Sequence, residues 1–344
     1  MSKRVGLISY PMLFQKKGGL QIQVLETLNA LKELSVDASL VNVLTDDLAD
    51  FDILHVFSSN HGNANIITTA KDKGCKVVIS PLAEDKWNAK YSTRSRLIEP
   101  LLKKFTGYLN YSFFSRLYDA MQLCDHFVAL GQAEKTALNQ AFDINNDDIT
   151  IIPNGIPQRF FDASPDYFRQ ETGIEGDFVL NIASIDRRKN QLALAQAMKE
   201  YLPDAKLVLI GPVLKSNEAY LKQIEAVGNV AYLGSFDYQS DMLPSAYAAA
   251  SVFSLPSIQE VLPLSALESM AAGTPAIVTK VSSMEFPCKN HEFALVDPEN
   301  HADIASTIEK ATLQPPTKAS CQNMVRHLTW HAVANQLIEI YENI

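Results

Sequence analysis

Ser257–Thr279 reads SIQEVLPLSALESMAAGTPAIVT, and the reading of this stretch decides the rest of the chain. Two carboxylates, Glu260 and Glu268, stand eight residues apart around the start of a helix. Pro263 falls where a first-turn proline is tolerated, because its missing N–H would have had no intrahelical partner. Leu264, Leu267 and Met270/Ala271 recur at helical spacing, and Gly273 with Thr274-Pro275 ends the helix before the apolar strand PAIVT (275–279). The pattern predicts Glu260 in the loop ahead of the helix and Glu268 about two turns inside it. Between them lie the free amides of the first turn, a ready site for an anion. A ligand with hydroxyls at both ends and a diphosphate in the middle suits that layout. A bare pair of glutamates at this spacing would equally fit an ordinary amphipathic helix. The whole string, with its proline and its Gly-Thr-Pro, is what carries the information.

Outward from this stretch, apolar runs alternate with amphipathic ones. The first half offers VGLIS (5–9), ASLVNV (38–43), ILHVF (53–57), KVVIS (76–80), HFVAL (126–130) and ITII (149–152). The second half offers FVLNIAS (178–184), AKLVLIG (205–211), NVAYLG (229–234), SVFSL (251–255) and PAIVT. Near-continuous apolar strands separated by helical patterns predict parallel sheets covered on both faces, an α/β class. The segment IPNGIPQRFFDASP (152–165), rich in Pro and Gly, reads as the linker between two such units, and 344 residues are ample for two. The tail after Pro315-Pro316 reads as helical to Asn343 with a kink near Thr329-Trp330.

Composition bounds the function. Apolar residues make up 47% and charged residues 20%, as in a water-soluble globular protein, and a formal charge of −9 argues against a nucleic-acid partner. No run reaches the roughly 20 apolar residues a bilayer span needs. The amino-terminal apolar stretch runs into Pro11 and Gln15-Lys16-Lys17 and reads as a first strand, not a leader. Cys75, Cys124, Cys288 and Cys321 show no paired spacing, which suits a reduced, cytoplasmic setting better than a disulfide framework or a zinc site.

EVLPLSALESMAAGTP (260–275) closely resembles the signature of the retaining group-1 nucleotide-sugar glycosyltransferases. There a Glu, seven residues and a second Glu are followed by Ala-Met-Ala-x-Gly-Thr-Pro, and Ser269 is the small departure. The resemblance implies the GT-B fold, two Rossmann-like domains facing each other across a cleft. Residues 1–156 plus about 328–344 would form the acceptor-side domain, with the last helix crossing back, and 157–327 the nucleotide-sugar-binding domain. It also implies retaining transfer of a sugar from a nucleotide sugar to an acceptor hydroxyl, in cell-surface polysaccharide or glycolipid synthesis. Glu268 would hold the ribose hydroxyls and Glu260 the sugar ring. No metal or other cofactor is implied, and no protein nucleophile, the leaving phosphate helping to take the acceptor proton.

Further motifs extend the resemblance. NIASIDRRKNQ (181–191) matches the family's second donor motif, placing Lys189 on its phosphate-binding lysine and Arg188 just before it. A lysine suits a leaving group on which negative charge grows as the glycosidic bond breaks. Lys189 with the Leu264 and Ser265 amides would hold the diphosphate. Ser184 stands where the family carries a partner arginine, so either Arg187 or Arg188 compensates or the protein is a weakened relative. Gly18-Gly19, after the first strand, matches a glycine pair in the family that approaches phosphate, although a plain tight turn explains it as well. Gly234, Ser235 and Phe236 fall where relatives hold the nucleotide base, and Asn154-Gly155 matches the hinge motif, where a turn pair is expected.

Elsewhere the residues point less sharply. Asp50-Phe51-Asp52 precedes its strand and reads as a loop, with no metal implied. On the acceptor side, His61 in SSNHGN is the available histidine. From Lys86 to Tyr118 there are seven Lys/Arg against one Glu, with aromatic residues interleaved. That suits either peripheral contact with an anionic membrane and a lipid-linked or glycan acceptor, or a core helix with a solvated basic face. Two rival functions remain open: a sugar-nucleotide epimerase on the same fold, and a non-catalytic partner subunit that only binds.

Overall fold

The computed structural model describes residues 3–15, 18–59, 63–82, 93, 113–260, 262–282 and 291–344. By its internal contacts the chain forms two units, Met1–Gly155 with Trp330–Ile344, and Ile156–Thr329.

The first unit carries β1 (Val5–Ile8), β2 (Ala38–Leu40), β3 (Ile53–Phe57), β4 (Lys76–Ser80), β5 (His126–Ala129) and β6 (Ile149–Ile151). They form one sheet in the order β2-β1-β3-β4-β5-β6, every pair parallel. Its helices include α1 (Gly19–Glu33), α2 (Asn63–Asp72), α3 (Phe113–Met121) and α4 (Gln132–Phe142). Parallel strands need crossover connections, and these helices cover the faces, so β1 and β3 are buried along their whole length.

The second unit repeats the plan with β7 (Phe178–Ile182), β8 (Lys206–Ile210), β9 (Val230–Tyr232), β10 (Val252–Leu255), β11 (Ala276–Thr279) and β12 (Phe293–Val296). Its order is β12-β11-β10-β7-β8-β9, again all parallel. The helices are α5 (Gln158–Phe161), α6 (Asp166–Thr172), α7 (Gln191–Tyr201), α8 (Glu218–Glu225), α9 (Met242–Ala249), α10 (Leu264–Ala272), α11 (His301–Leu313) and α12 (Lys318–Val325). Alternation along the strands sorts them into two cores. Phe178, Leu180, Phe253, Leu255 and Val278 pack with residues of α9 and α10, whereas Val179, Leu207, Val252 and Ile277 pack with residues of α7, α8 and α11. The stretch read as a linker is shorter than expected, because Phe160 in α5 is fully buried in the first of these cores.

The last helix, α13 (Trp330–Asn343), belongs to the first unit and packs on α1. The expected kink in the tail is a complete break. Leu328 accepts a hydrogen bond from the Ile156 amide (2.9 Å) and Thr329 pairs with Ile156, so these backbone groups are taken from the helix ladder. Gly155 lies flat against the start of α13, and a Cβ there would come within 2.4 Å of the Trp330 nitrogen. Its φ is not positive, so close approach and not turn conformation demands the glycine in the Asn-Gly pair. Further along α13, Tyr341 bonds His55 Nδ1 (2.6 Å), and His55 Nε2 meets Ser80 Oγ (2.9 Å). Burial pushes the His55 pKa down to about 3, so the imidazole is neutral and bridges α13 to β3 and β4. Lys3 caps the carboxyl end of the helix on the carbonyls of Tyr341 (2.7 Å) and Ile344 (3.1 Å).

Candidate active site

In the second unit the strand order reverses between β7 and β10. Open parallel sheets bind ligands beyond the carboxyl ends of the strands that flank such a switch point. The loops leaving those two strands, 183–190 and 256–263, carry the charged residues singled out in the sequence.

These loops are fastened together. The Ile258 amide donates to the Arg188 carbonyl (2.8 Å), and the Asn190 side chain donates to the carbonyls of Pro256 (3.0 Å) and Pro298 (2.8 Å). Asn190 has φ 60°, a left-handed conformation that asparagine and glycine tolerate best. Asp186 caps the single 3₁₀ turn Arg187–Lys189 by accepting from the Arg188 amide. Gly211 has φ 152°, and a Cβ there would fall 1.9 Å from the Ala183 carbonyl oxygen, so only glycine lets the loop after β8 lie against the loop after β7.

Lys189 and Glu260 form an ion pair whose side chains are only 15% and 9% exposed. An ammonium has three donors, and Glu260 takes one, which leaves two for an anion; the carboxylate likewise keeps acceptor sites for hydroxyls. Immediately after Glu260 comes the start of α10. Pro263 stands at the N-cap with no side-chain cap, one position earlier than the first-turn place expected for it. Only Ala266 among the first amides is served, by the Pro263 carbonyl; among the described residues no acceptor meets those of Leu264 and Ser265. Two unserved amides, a helix dipole and a lysine therefore sit on one loop pair.

Glu268 lies on α10 as expected, but about one turn inside it and not two, and a side chain of the neighbouring helix meets it. It is 5% exposed and accepts a hydrogen bond from the Tyr247 hydroxyl (3.0 Å) on α9. Burial, then the Glu268 charge and hydrogen bond, raise the Tyr247 pKa well above its ordinary value, with the Ser265 side chain opposing. The phenol is therefore always the donor.

The remaining candidates fall as follows. Arg188 is exposed and its guanidinium reaches the Gln259 carbonyl (3.4 Å), whereas Arg187 lies over the Tyr220 ring (5.0 Å), so of the two only Arg188 faces the loop of Glu260. Ser184 is exposed. Gly234 has φ 73° and its carbonyl accepts from the Gly211 amide (2.7 Å), Ser235 is exposed, and Phe236 is half-buried against the core. In the first unit, Gly18 is the extended N-cap of α1 and Gly19 its first residue. A Cβ at Gly18 would touch nothing within 4 Å, so no tight turn requires the glycine. Asp52 accepts from the Arg4 amide (2.7 Å), a loop role, and among the described residues no cluster suits a metal. His61 and most of Lys86–Tyr118 lie outside the described residues. At the described end of that stretch Phe114 and Tyr118 stack on Phe142, in the core, and Arg116 faces solvent.

Residues 166–327 match the family described as glycosyl transferases group 1, and residues 20–159 match Glycosyltransferase Family 4. The chain belongs to the group-1 glycosyltransferases and has the GT-B fold. Among similar proteins, the chain is 27% identical over 267 residues to mannosylfructose-phosphate synthase of Agrobacterium fabrum, covering 70% of this chain and 58% of the relative. It thus matches rather more than half the length of that relative. Two solved structures share the fold. Sucrose-phosphate synthase of Thermosynechococcus elongatus has a TM-score of 0.78 at 18% identity, over 99% of this chain and 98% of its own. Anabaena HepE in complex with UDP has a TM-score of 0.76 at 16% identity, over 99% and 100%.

Sequence reasoning missed Asn190 as a fastener and Tyr247 altogether. The signal for Tyr247 was one hydroxyl in the otherwise small and apolar helix MLPSAYAA. The second unit also has a cavity of about 440 Å³ at the opposite, amino-terminal end of this sheet, lined by Asp177, Gly273, Thr274 and Pro275 among others. None of the predicted site residues lines it, and the charged groups at the switch point mark the site better than concavity does.

Proposed function

We propose that this protein transfers a sugar from a nucleotide-sugar donor to an acceptor hydroxyl with retention of anomeric configuration. The acceptor would be a glycan or lipid-linked glycan in cell-surface polysaccharide or glycolipid synthesis. The observation that carries this reading is the Lys189–Glu260 pair, set beside the uncapped start of α10 at the switch point of a parallel sheet. Lys189 and the Leu264 and Ser265 amides bind the diphosphate and stabilise the charge that grows on it as the glycosidic bond breaks. Glu260 accepts hydrogen bonds from the transferred sugar, and Lys189 holds that carboxylate in place while donating to phosphate. Glu268 meets the ribose, and Gly234, Ser235 and Phe236 meet the base. Arg188 supplies the second cation in place of the arginine that Ser184 replaces.

The likeness to HepE, whose structure contains UDP, supports a nucleoside diphosphate as the donor's leaving group. The likeness to mannosylfructose-phosphate synthase supports a small hexose as cargo. No metal ion is assigned a part, since Lys189 and the helix amides supply the positive charge. Among the described residues no helix is long and apolar enough to cross a membrane, and we place the enzyme in the cytoplasm, at the inner membrane face when its acceptor is lipid-linked. Incubation with UDP-, GDP- and ADP-sugars, read first by thermal shift and then by release of free nucleotide, tests the reading. NMR of the product anomer tests retention. Donor binding without turnover on any acceptor would favour the second reading, a non-catalytic partner, for which the exposed Ser184 is the specific support.

A further inference from the structure

We propose that Tyr247 is a positioning residue that fixes the Glu268 carboxylate and thereby sets the preference for a ribonucleotide over its 2′-deoxy or 3′-deoxy counterpart. The inference rests on the reading that Glu268 meets the ribose.

A glutamate side chain on a helix has three rotatable bonds, and its last one is broad, so the carboxylate plane is free unless something holds it. Here one oxygen, Oε2, accepts from the Tyr247 hydroxyl at 3.0 Å. The direction of that bond is fixed, because a carboxylate only accepts and a phenol has one proton to give. Tyr247 is itself immobile. It is fully buried, and its ring packs against Phe160 (centroids 5.9 Å apart) and Phe253 (5.7 Å). Its backbone is tied from the far side of α10: the Thr274 hydroxyl donates to the Tyr247 carbonyl at 2.6 Å.

The middle and the carboxyl end of the motif helix thus close on one residue of its neighbour. Thr274, just past the carboxyl end of α10, holds the main chain of Tyr247, and the Tyr247 side chain returns to α10 at Glu268. This gives the threonine of Gly-Thr-Pro a task that helix termination does not require, since Gly273 at φ 92° already ends the helix. A bidentate grip on a ribose diol needs the carboxylate plane set in advance, and a hydrogen bond to a charged acceptor is strong enough to set it.

The test uses the full chain and measures dissociation constants for UDP, GDP and ADP, each beside its 2′-deoxy and 3′-deoxy forms. Tyr247→Phe keeps the ring and removes one oxygen, and Thr274→Val keeps the shape and removes the backbone tie. In the wild type the tightest ribonucleotide should exceed a deoxy form, and Glu268→Gln should erase that gap. Tyr247→Phe should weaken the ribonucleotide on the order of tenfold and leave the deoxy form almost unchanged, with donor KM raised and kcat preserved. Thr274→Val should move the same ratio by less. Equal weakening of ribo and deoxy forms by Tyr247→Phe would mean a packing role only and would overturn the proposal. So would a ribose gap that survives Tyr247→Phe while Glu268→Gln removes it. Absence of any gap in the wild type would overturn the ribose assignment of Glu268 itself, and this proposal with it.

Discussion

Replacing Lys189 with methionine keeps most of the stem and removes the ammonium, and its effect separates charge neutralisation from folding. The lysine is 15% exposed and its partner Glu260 9%, so the loss acts twice. One charge-assisted contact to the diphosphate disappears, worth ~1.5–3 kcal/mol, or roughly 10- to 150-fold in affinity. The Glu260 carboxylate is also left buried without its counter-ion, next to where the anion must lie, and breaking such a pair costs about 3–5 kcal/mol when fully enclosed. That second cost falls on stability as well as on binding. The double variant Lys189→Met/Glu260→Gln should therefore bind UDP, GDP or ADP better than Lys189→Met alone and melt at a higher temperature. Isothermal titration of each diphosphate beside its nucleoside provides the control. Nucleoside affinity should stay within about twofold of wild type, because no phosphate is involved. Equal losses for nucleoside and diphosphate would refute the assignment of Lys189 to phosphate. A double variant no better than the single one would refute the claim that Glu260 is held by Lys189.

Glu260→Gln keeps the size of the side chain and removes its charge; nucleotide binding should survive while kcat falls, as a contact that strengthens in the transition state requires, and unchanged turnover would remove Glu260 from the chemistry. His55 is neutral when folded and titrates near 6.5 when unfolded, so its contribution to stability is full above about pH 6.5 and is lost as pH falls toward about 3. At pH 5 the loss amounts to about 2 kcal/mol, and NMR should show the His55 ring protons unshifted between pH 8 and 5; titration in that range would contradict the buried bridge to Tyr341. Gly155→Ala places a methyl 2.4 Å from the Trp330 nitrogen, a backbone atom that cannot step aside, and should destabilise by about 1–3 kcal/mol or more, read as a lower melting temperature. Asn190→Gly keeps the left-handed backbone but releases Pro256 and Pro298, so turnover should fall with little change in fold, whereas Asn190→Val should also strain the backbone.

The strands were legible because parallel sheets buried on both faces demand near-continuous apolar runs, and eleven of the twelve strands among the described residues announced themselves that way. The exception, β12, is the short apolar run Phe293–Val296, an edge strand with one exposed and one half-buried position, which the sequence reading passed over. The break between α12 and α13 was read as a kink because no glycine or proline marks it. What ends the helix is the Ile156 backbone taking up Leu328 and Thr329, a partner more than 150 residues away in sequence that no local pattern encodes.

The site divides along the same line. Lys189, Glu260 and the start of α10 could be read early, since charge, a helix start and a proline are local signals. Their mutual placement could not. It depends on Asn190 crossing to two other loops and on Gly211 admitting the Ala183 carbonyl, contacts that span 28 to 108 residues. Residues that act through other residues leave the weakest trace, because their requirement is a single atom at one point, an oxygen on Tyr247 or the absent Cβ of Gly211. The motif residues name the chemistry. The fasteners decide whether it is held in register, and a chain could keep Glu260, Glu268 and Lys189 yet lose turnover through any one of them. Ser184 is therefore weak evidence of degeneracy taken alone. Arg188 stands two residues before the Asn190 anchor, its backbone already bonded to Ile258, and its guanidinium reaches the loop that carries Glu260. A cation delivered from that turn needs no arginine at the strand end, and Arg188→Ala should then cost as much diphosphate affinity as Arg187→Ala spares.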